Sequence, residues 1–448
     1  MSLEAATREE VSRLFGRAAF GATPDDLARW TGRPYAEAVD HLVNVPAMGN
    51  RPGAGDEARR SSIEQGGRAK TQSAGGATAQ AQMWWLERMR TTPYPLEERL
   101  TLFWHGHFAT SVLAPFPDVA MMMAQNQTIR LNALGNFRTL VAAMTVDCAM
   151  LEWLDGARNT IPAPNENYAR EFLELFTLGK YPQVYGEGDV REAARVLTGW
   201  KVDRLFRKVA FDAGAHDTGT KTILGATIPN QGANEYRTLI DVALAQPVSA
   251  LFIAHKLVSN FGYAAPTTDL LRNADPLVAR VAQSFRSTGW DIRAAMRTLL
   301  MSDEFRTGDA NIRRQLVRQP AEIVVGAGKT LRFTLDNQEV VARMANMGQP
   351  LLVPPNVGGW PTGTGWLSPA TVLTRYDFGM LAQGRATVPL PPAGDFDGWA
   401  RLLGLAPPSA TTTAALKGFL DEQSRADEPT KQASVLVLML STPEWAVI

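Results

Sequence analysis

The stretch Asn165-Glu166-Asn167-Tyr168-Ala169-Arg170-Glu171-Phe172-Leu173-Glu174-Leu175-Phe176-Thr177-Leu178-Gly179 reads as one amphipathic helix. Asn165 is a good N-cap, Glu166 sits in the first turn where the helix dipole favours a carboxylate, and Gly179 supplies the stop. Tyr168, Phe172, Leu175 and Phe176 form an apolar stripe, so the helix is built to lie against a core. At about 100° per residue, Asn167, Glu171 and Glu174 fall within about 60° of one another beside that stripe. Two carboxylates in such a place can hold a metal ion or act as acid and base through shifted pKa values. An ion-paired helix fits the same letters, because Glu166 with Arg170 and Arg170 with Glu174 both have the spacing for it.

Helical periodicity dominates on either side. Glu9 to Phe20 is amphipathic and closed by Gly21, and Thr23-Pro24-Asp25-Asp26 starts the next helix with an N-cap and an early proline. Residues 51–80 are rich in Gly, Ala, Ser, Gln and Arg, and read as a flexible insertion or lid. A helix through Trp84, Trp85 and Met89 follows, then one opened by Pro95 that carries Leu100, Leu102, Phe103 and Trp104 to Gly106, which reads as its end or a distortion. Asp118 to Leu154 reads as a long helical run. The exception is 200–232, where Val202, Val209 and Phe211, a glycine-rich loop and Thr222-Ile223-Leu224 predict a β-hairpin or small sheet. Helices resume from Asn234. A Gly/Pro loop after Met347 carries Trp360 and Trp366, and 395–448 forms a C-terminal helical portion after a proline-rich linker. The expected fold is mainly α, a multi-helix globular array with a small β insertion.

Composition narrows the function classes. Lys plus Arg equal Asp plus Glu at 45 each, which argues against a protein relying on a basic field to hold nucleic acid. Arg313, Arg314 and Arg318 make a local basic cluster that reads as a solvated helix face. Cys148 stands alone, so neither an internal disulfide nor a thiolate zinc cluster can form. No run reaches the roughly 20 apolar residues that span a bilayer. The charged N-terminus lacks a hydrophobic signal core, so the chain is expected to be cytoplasmic or a mature exported form.

Four other groups of residues could carry chemistry. His105 and His107 would point about 160° apart on a regular helix, so sharing one ion requires a distorted end or a strand. His216-Asp217 with Lys221 lies in the loop of the expected hairpin; metal ligation and a polar turn both fit. The lysine is misplaced for a phosphate-binding loop. Trp360 and Trp366 could stack on sugar rings or pack. His41 and His255 read as ordinary helix residues. A nucleophile elbow, His-Glu-x-x-His, a dinucleotide fingerprint and a Ca²⁺ loop are all missing from the sequence.

Taken together, Leu14-Phe15-Gly16-Arg17-Ala18-Ala19-Phe20-Gly21, Phe103-Trp104-His105-Gly106-His107-Phe108, Asn165 to Glu171 running into Glu174 to Gly179, Leu197-Thr198-Gly199-Trp200, His216-Asp217 with Lys221, and Met347-Gly348-Gln349-Pro350 to Gly359-Trp360 resemble the bacterial family known as domain of unknown function 1800. The resemblance covers nearly the whole chain and implies one extended domain over 1–448. It carries no settled activity. It implies a periplasmic or extracellular setting and a second secreted protein encoded nearby, although this chain shows no export signal. It also draws His105, His107, Asn165, Asn167, Glu171, Glu174, His216, Asp217 and Lys221 toward a functional site. Two functions stand open. One is an enzyme, hydrolytic or metal-assisted, acting on an extracytoplasmic polymer or glycan-like substrate. There His105, His107, His216 and Asp217 would hold a divalent ion, Glu171, Glu174, Asn167 and Lys221 would do the chemistry, and Trp360 and Trp366 would bind substrate. The other is a non-catalytic binding or assembly protein in which the same groups form a structural hydrogen-bond network.

Overall fold

The computed structural model describes residues 4–46, 54–69, 74–113, 118–266, 269–306 and 316–447. The fold is mainly helical, with two small two-stranded antiparallel sheets among the described residues. The sheets are consecutive hairpins: β1 (Trp200–Asp203) with β2 (Lys208–Phe211), and β3 (Lys221–Ile223) with β4 (Ala226–Ile228). They fall within the stretch expected to be β.

Helix boundaries follow local chemistry. Thr7 and Thr23 close capping boxes with Glu10 and Asp26, and the expected proline at the start of Pro24–Trp30 is there. The stretch from Asp118 to Leu154 divides into Val119–Asn132, Phe137–Thr145 and Cys148–Trp153, the last two begun by the caps Asn136 and Asp147. The Gly/Ala/Gln-rich region is helical over Ala54–Ala69 and Ala74–Thr91. Alanine, glutamate, glutamine and arginine are strong helix formers there, and Arg60 pairs with Glu57 and Glu64 at 3.0 and 2.9 Å. Arg313 and Arg314 lie outside the described residues. Arg318 is buried and stacks on Trp445 at 4.4 Å, so no solvated face holds it.

Two hydrophobic cores organise the molecule. One gathers Leu14, Phe15, Leu100, Phe103, Phe137, Phe176, Ile253 and Phe261, among others. The second gathers Trp84, Trp85, Met122, Val324, Leu351 and Trp399. The helix Pro95–His107 serves both, sending Leu96, Leu100, Phe103 and Trp104 into the first and Leu102 into the second. The seam between the cores therefore runs along the helix that carries both neighbouring histidines.

Candidate functional site

The helix Pro95–His107 stays regular through both histidines, and Phe108 is its C-cap. The helix ends one residue beyond Gly106, close to the expected end, and Gly106 does not distort it. A Cβ on Gly106 would meet the Trp360 ring at an ordinary 3.5 Å, so the backbone has no need of glycine there. The two imidazoles accordingly have different surroundings. His105 is buried between Trp85 and Trp360, at ring-centroid distances of 5.4 Å each, and neither ring nitrogen has a hydrogen-bond partner. Burial pushes its pKa down to about 3. His107 is surrounded by Phe103, Trp104, Phe108 and Phe176.

His107 is held at both nitrogens. Nε2 lies 3.2 Å from the Phe176 carbonyl, which can only accept, so this nitrogen carries the proton. Nδ1 is then free to accept from Lys256 Nζ at 2.9 Å. Burial, and then the charge of Lys256, hold His107 well below its ordinary pKa. Burial also lowers Lys256, to about 8. Phe176 lies in a segment of π geometry, and Lys256 lies in the last turn of an α-helix that widens into π geometry just after it. Phe172–Thr177 continues the short helix Glu166–Glu171, and Val258–Gly262 continues Pro247–Leu257. Such widened turns are frequent at functional sites.

A small cleft of about 80 Å³ opens beside this pair, lined by Phe103, Gly106, His107, Lys256, Asn260 and Gln319 with Gly358, Trp360, Pro361 and Thr362 of the Gly/Pro loop. An adjoining hollow shares Asn260, Gln319, Pro361 and Thr362 and adds Arg99, Ser259, Glu322 and Trp366. Arg99 is ion-paired with Glu322, and Glu322 also caps Gln319 N at 2.8 Å. By contrast Asn260 Oδ1, Ser259 Oγ and Trp360 Nε1 are buried without a partner. The loop is seated by Gly359, whose φ of +85° suits glycine and whose Cβ would sit 2.1 Å from the Gly106 carbonyl oxygen. Trp360 thereby forms one wall, while Trp366 is almost wholly buried and lines only the adjoining hollow.

The other expected residues lie outside this lining. Asn167 is exposed and donates to the Leu154 carbonyl at 3.3 Å. Glu174 pairs with exposed Lys180 at 2.6 Å, and Arg170 turns to Glu166 and Glu187 rather than to Glu174. Glu171 is half-buried, and burial followed by the Glu174 charge raises its pKa. Glu171 and Glu174 therefore stay close enough for their charges to interact, although the helix changes pitch at Phe172. His216, Asp217 and Lys221 form a separate buried node between the hairpins. His216 Nδ1 meets the Thr198 carbonyl at 3.0 Å and Nε2 meets Glu235 at 3.0 Å. Lys221 Nζ lies 2.6 Å from Glu235, and Asp217 is clamped by Arg195 at 2.7 Å. Every one of these groups already has a protein partner. Among the described residues no three His, Cys, Asp or Glu side chains group as ligands for an ion.

Sequence reasoning passed over Lys256, Asn260, Arg99 and Gln319. Lys256 had one visible sign: it is a lysine inside the apolar run Leu251-Phe252-Ile253-Ala254-His255-Lys256-Leu257-Val258. The others had none, since their placement depends on contacts across the seam.

Comparison with known proteins places the chain. It matches the family described as protein of unknown function (DUF1800) over residues 13–447. The chain belongs to this family. No curated protein and no solved structure matches it. The family span takes in both cores and the cleft between them. Among the described residues no single helix is long and apolar enough to cross a membrane.

Proposed function

We propose that this protein is an enzyme, hydrolytic in type, that takes a glycan-like or other ring-bearing polar polymer into the cleft between Lys256 and Trp360. The observation that carries the reading is the cleft itself. A lysine–imidazole pair lines the same wall as Asn260, and Asn260, Ser259 and Trp360 each keep a buried polar atom without a partner. Buried polar groups are normally satisfied, so several unpaired atoms around one hollow favour a ligand or ordered solvent there. Lys256, with its lowered pKa, is suited to move a proton near neutral pH, and His107 holds the amine in place through Nδ1. Trp360 offers an aromatic wall to a sugar ring. The extracytoplasmic setting and the neighbouring secreted protein belong to this reading through the family resemblance.

A metal-free mechanism is the better supported form. His105 and His107 leave one regular helix into different surroundings, and His216 and Asp217 are engaged by Thr198, Glu235 and Arg195. The structural-network alternative describes the His216 node well and the cleft poorly, because the cleft leaves its polar atoms unsatisfied.

The test is release of reducing ends from a panel of bacterial cell-wall and capsular polysaccharides. Wild type is expected to cleave at least one, and Lys256→Met to lower the rate by about 10²-fold or more while keeping the fold. Cleavage unaffected by Lys256→Met, or no cleavage of any polymer, contradicts the reading.

A further inference from the structure

The cleft has a one-sided charge. Its lining around His107, Lys256, Asn260, Gln319, Trp360 and Thr362 contains no carboxylate, and Lys256 brings an ammonium group to it. An ammonium has three donors. Lys256 directs one to the neutral His107 ring at 2.9 Å, and a second contact, to the Leu175 carbonyl, is stretched to 3.5 Å. The ammonium nitrogen itself lies over the Phe252 ring, 5.1 Å from its centroid, a cation–π contact that brings no negative charge. No acidic side chain among the described residues pairs with it.

Several other cations withdrawn from solvent are better answered, although Arg318 and Arg375 also keep unpartnered nitrogens. Lys221 meets Glu235 at 2.6 Å, Arg99 is paired with Glu322, and Lys329 donates to the Ala19 and Gly21 carbonyls at 2.8 and 2.9 Å. A cation drawn out of water without a counter-charge is costly, and a ligand that supplies the charge recovers that cost. Of the polar groups in the same lining, the Thr362 hydroxyl can donate to a carboxylate, whereas the unpartnered Asn260 Oδ1 is an acceptor suited to a sugar hydroxyl.

Building on the proposed glycan-like substrate, we infer that the cleft selects an acidic sugar, with the substrate carboxylate on Lys256 and the sugar ring against Trp360. This names the substrate class as a uronic-acid-type or similarly carboxylated glycan, and gives Lys256 a role in recognition that a neutral residue of the same shape cannot fill.

Calorimetric titration of the full chain tests it, using an oligogalacturonate and an uncharged cello-oligosaccharide of equal length. The acidic ligand is expected to bind at least about tenfold tighter, with the margin shrinking in high salt. Lys256→Met is expected to bring the two ligands level, and Lys256→Arg to keep the preference, with melting curves confirming that each variant is folded. The comparison of ligands on wild type stands even if a variant fails to fold. Equal binding of both ligands by wild type overturns the charge inference and leaves the glycan reading intact. Binding of neither overturns both.

Discussion

His105 and Lys256 show how burial alone separates two basic residues that both approach the cleft. His105 is sealed between Trp85 and Trp360 with both nitrogens unpaired, whereas Lys256 has an imidazole acceptor and faces the hollow. For His105 the folded pKa, about 3, lies below the ordinary 6.5, so the unfolded chain binds the extra proton. Its contribution is therefore fully present above 6.5 and is lost as pH falls toward 3. Replacing it with Leu removes two unsatisfied polar atoms, so His105→Leu is expected to melt no lower than wild type at neutral pH and to flatten this acid dependence. A clear loss of melting temperature at neutral pH would show that His105 has a partner. Lys256 is also depressed, from 10.5 to about 8, and the sign is the same: the unfolded chain holds the proton longer. Wild type should gain stability relative to Lys256→Met as pH rises from about 8 to 10.5, measured by denaturant unfolding. A constant difference across that range contradicts a desolvated amine.

At the scale of elements, the site is made where regular structure gives way. Two helices widen at Phe172–Thr177 and Val258–Gly262, and the loop before Trp360 presses Gly359 onto the Gly106 carbonyl. Gly359→Ala would force that loop off the helix, so it is expected to weaken ligand binding about tenfold or more while changing the melting temperature little. Retained affinity would mean that the loop does not form the cleft wall. The hairpin node should behave in the opposite way. Glu235→Gln weakens the buried partner of both Lys221 and His216, at a cost of up to about 3–5 kcal/mol in stability. Ligand affinity of the molecules that remain folded should not change; a loss confined to affinity would return His216 and Lys221 to the working site.

These elements also show what was legible. The caps Thr23 and Asn165, the β character of 200–232 and the divergence of His105 from His107 follow from local rules, and the structure agrees with them. The widened turn at Phe172 was not legible, because periodicity at a fixed 100° per residue presumes the very regularity that fails there. The Gly/Ala/Gln-rich stretch misled for a related reason: low hydrophobicity resembled a connector, whereas helix propensity, the Arg60 ion pairs and a buried Ile63 made Ala54–Ala69 helical.

Over the whole molecule, two cores share the helix Pro95–His107, and the cleft lies at their seam. Clefts between packed units are common ligand sites, because their walls come from segments distant in sequence. That is why the mainly helical class could be read from the chain but the site only in part: His107 and Trp360 carry visible motifs, while Lys256 and Asn260 arrive from a separate helix. Hydrogen exchange of the full chain, with and without an excess of mixed oligogalacturonates and neutral oligosaccharides, tests the central claim most directly. Ligand is predicted to slow exchange in Phe103–Phe108, Lys256–Gly262 and Gly358–Trp366, and to leave Asp217–Lys221 unchanged. Protection confined to Asp217–Lys221 or Glu171–Glu174, with the cleft segments unaffected, would contradict the account.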